Sequence, residues 1–205
     1  MNITNKIILV TGGGSGIGFE IAKLLSQKGN KVIITGRTAS KLQKAAAQLT
    51  NVDFIATDIN SEADIDNLID KINKEYGGLD VLINNAGHAS VYHLDEALDA
   101  YHKATAEIHT NYLSVIRLTE KLLPLLKASK EAAIITVSSI VAFVPGINLP
   151  TYAASKAALH SYTQALRFTL AKSSGIKVFE LMPPLVNTEF STEIGGAFYF
   201  PGNQQ

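Results

Sequence analysis

The chain has 205 residues, 46% of them hydrophobic and 18% charged, and Lys plus Arg equals Asp plus Glu at 18 each. This composition is typical of one globular domain with a sizeable core, and the balanced charge gives no basic surplus for binding nucleic acid or an anionic membrane. Cysteine is absent, which excludes disulfides and cysteine-bound metals, and the sequence shows neither a basic leader nor a long apolar span, so we expect a soluble, cytoplasmic protein.

Short apolar runs alternate with longer helical patterns along the chain. The predicted strands cover 6–11, 31–35, 52–56, 79–84, 132–138 and 176–182, and the predicted helices cover 16–28, 39–49, 61–76, 95–127 and 152–173. Several strands are apolar at consecutive positions, as expected when helices cover both faces of a parallel sheet. The pattern predicts a single-domain α/β fold with a doubly wound parallel sheet in the Rossmann arrangement. We expect this α/β domain to span 1–190 and a C-terminal tail of undefined structure to span 191–205.

The first predicted strand leads directly into a glycine-rich turn, TGGGSGIG, at residues 11–18. Glycine permits a tight turn and lets the backbone approach a pyrophosphate, which then faces the N–H groups of the following helix. A glycine-rich turn can also serve packing alone, but a strand before it and a helix after it favour dinucleotide binding. The cofactor contacts expected in this turn are Gly12, Ser15, Gly16, Ile17 and Gly18.

The second predicted strand ends in Thr35-Gly36-Arg37. Proteins that prefer NAD place an acidic residue at this point to bind the ribose diol, and none is present. Arg37 can instead offer its planar guanidinium to the 2′-phosphate of NADP. The alternative is a solvated arginine that begins the next helix. The sequence thus favours NADP(H) and leaves NAD(H) possible.

Tyr152 and Lys156 lie four residues apart in a predicted helix, so their side chains share one face. The pair is either a packed tyrosine beside a solvated lysine, or a proton donor beside the cation that tunes it. A free phenol titrates near pH 10, and a nearby ammonium stabilises the phenolate and lowers that pKa. Reducing a carbonyl by hydride needs such a proton donor, which makes Tyr152 the candidate acid and base.

Ser139 follows the fifth predicted strand, at the edge of the sheet where open α/β folds bind ligands. Its hydroxyl can donate a hydrogen bond to a substrate oxygen. Ser138 is the competing candidate, because strand alternation points the two side chains in opposite directions.

Together, the TGxxxGxG turn, Asn84-Asn85-Ala86-Gly87, Ser139 and the Tyr-x-x-x-Lys pair resemble the short-chain dehydrogenase/reductase family. The resemblance covers residue 6 to about 190, and residues 157–188 further resemble its DltE-type branch of bacterial oxidoreductases. It implies an NADP(H)-preferring oxidoreductase that interconverts a carbonyl and an alcohol of a small-molecule substrate. Related NADP-dependent proteins often carry a second basic residue in the glycine turn, where this chain has Gly14 and Ser15.

The resemblance also implies roles for individual residues. It favours Ser139 over Ser138, and it assigns Asn111 to a water that links Lys156 to solvent. Asp58 can alternatively serve the N-terminal turn of a helix, and Pro184 stands where the family usually has glycine. The remaining cofactor contacts that it implies are Asp58, Ile59, Asn85, Ala86, Gly87, Tyr152, Lys156, Pro183, Val186 and Thr188.

Family members usually continue for several dozen residues after this point, with a substrate-covering segment and a seventh strand. We therefore expect that lid and strand to be missing or truncated. A non-catalytic nucleotide-binding regulator or scaffold is the alternative function, and an epimerase or dehydratase relative would carry a larger C-terminal domain. Retention of Asn111, Ser139, Tyr152 and Lys156 together favours the enzyme.

The two long predicted helices at 95–127 and 152–173 also bear on assembly. Ala157, Tyr162 and Leu166 give the second helix apolar positions on more than one side. We expect a homodimer about a two-fold axis, unless contact between the two helices within one chain accounts for these positions. His88 faces either the substrate cleft or the packing of its loop, and the histidine spacing predicts no metal site.

Overall fold

The structure, a computed structural model, describes residues 3–96, 99–184 and 186. Its strands are β1 Ile7–Thr11, β2 Lys31–Gly36, β3 Val52–Ala56, β4 Val81–Asn84, β5 Ala133–Val137 and β6 Lys177–Leu181. They form one sheet in the order β3-β2-β1-β4-β5-β6, with every neighbouring pair parallel. The predicted doubly wound Rossmann arrangement is confirmed.

The helices between the strands are α1 Gly16–Gln27, α2 Ala39–Ala46, α3 Glu62–Lys71, α4 Ala100–Ile108, α5 Ser114–Ala128 and α6 Pro150–Ser173. Wider π-helical turns extend α3 through Ile72–Tyr76 and join α4 to α5 through His109–Leu113. The helix predicted over 95–127 begins at Ala100. It consists of α4 and α5, which are continuous through the wide turn at His109–Leu113. Such turns often occur at functional sites because they redirect side chains.

The sheet is buried on both faces, which explains the consecutive apolar residues of its strands. Leu9, Ile33 and Leu82 pack on one side with residues of α3, α5 and α6. Their neighbours Ile8 and Val32 pack on the other side with residues of α1 and α2. Successive strand residues point to opposite faces, so each face needs its own apolar set.

The sheet order reverses between β1 and β4, and the crevice at this reversal holds the candidate site. The Thr11 hydroxyl joins the ends of the two strands. It accepts the backbone N–H groups of Asn85 at 2.9 Å and Ala86 at 3.0 Å, and donates to the Ile83 carbonyl at 3.3 Å. This contact fixes the glycine turn beside the segment that follows β4.

No helix within the described residues is long and apolar enough to cross a membrane. The predicted tail at 191–205 and the boundary at 190 lie outside the described residues, so the predicted domain limits stay predictions.

Candidate active site

The glycine turn needs glycine for conformational and steric reasons. Gly12 and Gly16 have φ angles of +65° and +55°, a region that favours glycine. A Cβ on Gly18 would lie 2.4 Å from the Gly12 carbonyl oxygen, and one on Gly13 would lie 2.6 Å from the Ile34 side chain. The turn therefore packs against β2 and against the start of α1, and its residues Gly12, Ser15 and Gly16 line the crevice.

Asn85 braces this turn with its side chain. Its Nδ2 donates to the carbonyl oxygens of Thr11 at 2.9 Å and Gly12 at 3.2 Å. Asn85 lines the crevice, as predicted for a cofactor contact. The structure adds a bracing function that the sequence did not indicate.

The crevice is a continuous cleft of about 1100 Å³ along the carboxyl edge of the sheet. It exceeds the roughly 300–1,000 Å³ of common ligand pockets, so it is large enough for an extended ligand. Of the predicted site residues in the described part of the chain, only Gly18 and Asn111 do not line it. Those that line it are Gly12, Ser15, Gly16, Ile17, Arg37, Asp58, Ile59, Asn85, Ala86, Gly87, Ser139, Tyr152, Lys156, Pro183 and Val186. Thr188 lies outside the described residues.

Arg37 and Lys41 give one end of the cleft its positive charge. The sequence analysis did not identify Lys41 as a site residue. Its position four residues after Arg37 could have indicated a second cation near the same end of the cleft. A Cβ on Gly14 would lie 3.7 Å from the Lys41 Cγ, so the lysine stem passes beside the glycine turn. Lys41 brings to this region the second cation that Gly14 and Ser15 do not supply.

Asp58 shapes a turn and also lines the cleft. Its Oδ1 accepts the backbone N–H of Asn60 at 2.9 Å, and its own N–H donates to Asp64 at 2.8 Å. These bonds shape the turn before α3. Asp58 and its neighbour Ile59 also line the cleft, so the turn and the predicted cofactor contact are compatible.

Tyr152 and Lys156 lie on the buried face of α6, with 8% and 3% of their surfaces exposed. The Lys156 Nζ donates to the Val137 carbonyl at 2.9 Å and lies 5.6 Å from the centre of the Tyr152 ring. Burial lowers the pKa of Lys156 to about 8. At neutral pH its ammonium form therefore predominates.

The pKa of Tyr152 is raised, chiefly by burial and further by the negative charge of Glu107. This direction is opposite to the one predicted from Lys156. Burial disfavours the phenolate, and among the protein's own groups the ammonium does not outweigh that effect. The tyrosine is therefore held as a phenol, the form able to donate a proton.

The structure separates the two candidate serines. Ser138 is 2% exposed, and its hydroxyl donates to Glu180 Oε1 at 2.5 Å. Ser139 precedes a short 3-10 turn at Ile140–Ala142, where its Oγ accepts the Val141 N–H at 3.3 Å. An accepting hydroxyl keeps its own proton for donation. This geometry favours Ser139 as the group that contacts a substrate oxygen.

Asn111 is fully buried in the wide turn between α4 and α5. Its Oδ1 accepts the His88 N–H at 2.7 Å, while its Nδ2 donates to the His88 carbonyl at 2.8 Å and to Ser155 Oγ at 2.9 Å. Ser155 in turn donates to the Tyr152 carbonyl at 2.7 Å. The Asn111 amide thus connects the segment after β4 to α6. Its predicted function of holding a water stays a prediction.

Glu107 is a buried residue that the sequence analysis did not identify as part of the site. This α4 carboxylate is fully buried and accepts hydrogen bonds from the Ser90 N–H and the Thr151 hydroxyl. Glu107 lies four residues before Asn111, on the same helix face, and this spacing could have indicated that its side chain also reaches the site. Both side chains reach toward α6.

The far end of the cleft is lined by apolar side chains that reach solvent. Ile140, Val144 and Ile147 are 40%, 71% and 81% exposed. His88 lines this cleft too, with its Nε2 3.5 Å from the Ser90 hydroxyl. Among the described residues, no group of three or more His, Asp or Glu side chains is arranged to hold a metal ion.

Comparisons with known proteins agree with this geometry. Residues 6–197 match the family described as short chain dehydrogenase. The chain is 38% identical over 188 residues to the "Uncharacterized oxidoreductase DltE" of Bacillus subtilis (strain 168), covering 92% of this chain and 74% of that protein. It is 36% identical over 189 residues to the "Uncharacterized oxidoreductase MW2403" of Staphylococcus aureus (strain MW2), covering 91% and 80%.

Solved structures share the fold. A 3-ketoacyl-(acyl-carrier-protein) reductase from Brucella melitensis, complexed with NADH, has 30% identity and a TM-score of 0.87, with 93% of this chain and 80% of that chain covered. The L-sorbose reductase from Gluconobacter frateurii, complexed with NADPH and L-sorbose, has 30% identity and a TM-score of 0.85, with 96% and 78% covered.

We predict that Gly18→Ala weakens nicotinamide dinucleotide binding by roughly ten-fold, because the added methyl meets the Gly12 carbonyl and displaces the turn. Fluorescence titration with NADPH and thermal unfolding would measure the effect. Gly78→Ala is the matched control, since a Cβ there meets nothing within 4 Å. Equal affinity in the Gly18 variant and the control would contradict the steric argument.

Proposed function

The chain belongs to the short-chain dehydrogenase family and is an NAD(P)-dependent oxidoreductase, and on that premise we propose that it prefers NADP(H) and uses Tyr152 as its acid and base. The proposed reaction interconverts a carbonyl and an alcohol on a small-molecule substrate. The observation that carries the proposal is the convergence of Tyr152, Lys156 and Ser139 on the cleft that the glycine turn borders.

The cleft fits a dinucleotide, because Ser15, Gly16 and Ile17 line it at the start of α1, where backbone N–H groups favour a phosphate. When bound, the nicotinamide supplies or accepts a hydride, and the positive charge of its oxidised form favours the phenolate. Ser139 donates a hydrogen bond to the substrate oxygen. Tyr152 delivers a proton to that oxygen during reduction and removes it during oxidation. Lys156 contributes its positive charge from a position fixed by Val137.

The proposed NADP(H) preference rests on charge at one end of the cleft. Arg37 and Lys41 both line this end, and β2 ends at Gly36 without an acidic residue beside it. A 2′-phosphate would find two cations there, whereas a ribose diol would lack its usual carboxylate partner. NAD(H) stays possible.

A second candidate function is a nucleotide-binding regulator or scaffold without turnover. The buried Tyr152 and Lys156 argue against it, because burying an ionisable pair is costly and catalysis gives that arrangement a use. The water-holding function of Asn111, the Thr188 contact, the cytoplasmic location and the absence of nucleic-acid partners stay predictions from the sequence.

We predict that Tyr152→Phe lowers kcat by at least about 100-fold, because phenylalanine keeps the ring but has no proton to transfer. NADPH affinity should stay within roughly two-fold. Screening a panel of ketones and aldehydes by NADPH absorbance identifies a substrate on which kcat can be measured. Fluorescence titration measures the NADPH affinity of both proteins. Turnover near that of the unaltered protein would refute the assignment, and binding without turnover on any carbonyl would favour the regulator.

We predict that Arg37→Ala weakens NADPH binding by roughly ten-fold and leaves NADH binding nearly unchanged, since only NADPH carries the 2′-phosphate. Lys44→Ala is the control, because it removes the same charge from α2 at a position that does not line the cleft. Titrating both nucleotides against both variants tests the preference. Equal losses for the two nucleotides would contradict the proposed phosphate contact.

We also propose a homodimer that pairs the layer formed by α4, α5 and α6. Tyr162 packs edge to face on Tyr112, with ring centres 6.1 Å apart, and Leu166 packs against the core, so these positions already have contacts within the chain. Leu113 and Phe168 supply apolar surface on this layer instead, at 45% and 65% exposure.

We predict a dimer mass by light scattering at micromolar concentration, and a shift toward monomer in Phe168→Asp, because a buried charge opposes association. Leu24→Asp is the control. Leu24 is 56% exposed on α1, which covers the opposite face of the sheet. A monomer mass for the unaltered chain would refute the dimer.

A further inference from the structure

Glu107 is a fully buried carboxylate that the reaction, as proposed, does not use. We propose that Glu107 is a positioning residue whose negative charge and hydrogen bonds govern proton transfer at Tyr152. The inference rests on the proposed function of Tyr152. It concerns a side chain that does not line the cleft and acts through the residues around it.

The hydrogen bonds of Glu107 join three parts of the site. Its Oε1 accepts the backbone N–H of Ser90, at 2.7 Å, in the segment after β4. Its Oε2 accepts the hydroxyl of Thr151, the residue before Tyr152 in the first turn of α6. Thr151 Oγ1 also lies 2.6 Å from the Tyr92 hydroxyl. Since Thr151 donates its proton to Glu107, Tyr92 is the donor in that second contact.

This arrangement fits an ionised carboxylate, because both oxygens accept and neither needs a proton of its own. A buried charge is costly unless it is hydrogen-bonded, and these contacts offset that cost. Removing the carboxylate would release the start of α6 from the segment that carries Ser90. The orientation of Tyr152 toward the substrate oxygen would then be less defined.

The electrostatic effect of Glu107 opposes that of Lys156. The carboxylate raises the pKa of Tyr152 together with burial, whereas a neighbouring ammonium favours the phenolate. Neutralising Glu107 should therefore lower the pKa of Tyr152. The other titratable or charged groups around Tyr152 lie on several elements. They are Lys156 on α6, Tyr92 beside Thr151, Lys103 of α4 over the Tyr92 ring, His88 and His109 lining the cleft, and the hydrogen-bonded pair of His160 and Glu180 behind Ser138.

Whether the reaction rate rises or falls with pH depends on which protonation form of Tyr152 reacts. Reduction requires the phenol, so its rate falls as pH rises through the pKa of Tyr152. Oxidation requires the phenolate, so its rate rises through the same pKa. In Glu107→Gln we expect both limbs to move to lower pH by on the order of one unit.

The decisive experiment follows the Tyr152 ring carbon Cζ by ¹³C NMR in the complex with NADP⁺, without substrate, as pH is raised to about 11. Tyr152→Phe assigns the signal. We expect ionisation at lower pH in Glu107→Gln than in the unaltered protein. Because this readout needs no turnover, it is separate from the test of the proposed function, which fails if Tyr152→Phe retains activity or if the unaltered protein turns over no carbonyl.

Companion variants separate charge from position. Glu107→Asp keeps the charge but is too short for both contacts, and Thr151→Val keeps Glu107 but removes one donor. Both should lower kcat by roughly ten-fold with the Tyr152 titration unchanged. Glu120→Gln, on the exposed side of α5, is the control and should behave like the unaltered protein.

Superimposable titration curves of Tyr152 in Glu107→Gln and the unaltered protein would overturn the inference. If the phenol stays protonated to the highest pH in both, the kcat values of Glu107→Asp and Thr151→Val decide it. If Glu107→Gln fails to fold by circular dichroism, Glu107→Asp and Thr151→Val decide the matter. A kcat equal to that of the unaltered protein in both would then refute the positioning role.

Discussion

The site depends on the contact between the ends of β1 and β4. The Thr11 hydroxyl accepts two backbone N–H groups from the segment after β4, and Asn85 returns two hydrogen bonds to the backbone of the glycine turn. Parallel strands that meet at a topological switch point leave a crevice between their following loops. In this chain polar side chains, rather than packing alone, hold the two loops at a fixed separation.

Side chains also form hydrogen bonds to the backbone farther along the segment after β4. Asn111 binds both backbone groups of His88, and Glu107 binds the N–H of Ser90. Each side chain also reaches α6, through Ser155 and Thr151 respectively. Thr151 and Ser155 flank Tyr152 in the sequence. Helix α6 is therefore fixed to the cleft wall by buried polar groups, which keep their geometry because leaving one unpaired would be costly.

Burial acts on the proposed acid and on its neighbouring cation in opposite directions. It raises the pKa of the Tyr152 phenol and lowers the pKa of the Lys156 ammonium, since it disfavours whichever form is charged. The protein's own groups thus hold a protonated tyrosine beside an ammonium that predominates at neutral pH. This state is suited to donating a proton to a substrate oxygen. The positive charge of an oxidised nicotinamide is the kind of group that would favour the reverse transfer.

The sequence by itself determined the fold and most of the cleft. Consecutive apolar residues in the strands indicated a sheet covered on both faces, and the glycine turn and the Tyr152–Lys156 spacing indicated a nucleotide site with an acid beside it. These features are local, because strand and helix periods place side chains without knowledge of distant contacts. Tertiary structure decided the rest. Only the folded chain brings Glu107 to Thr151, turns Ser138 toward Glu180 and buries Tyr152 deeply enough to reverse the predicted direction of its pKa. Each of these depends on residues distant in sequence, whose approach is set by how the helices pack on the sheet.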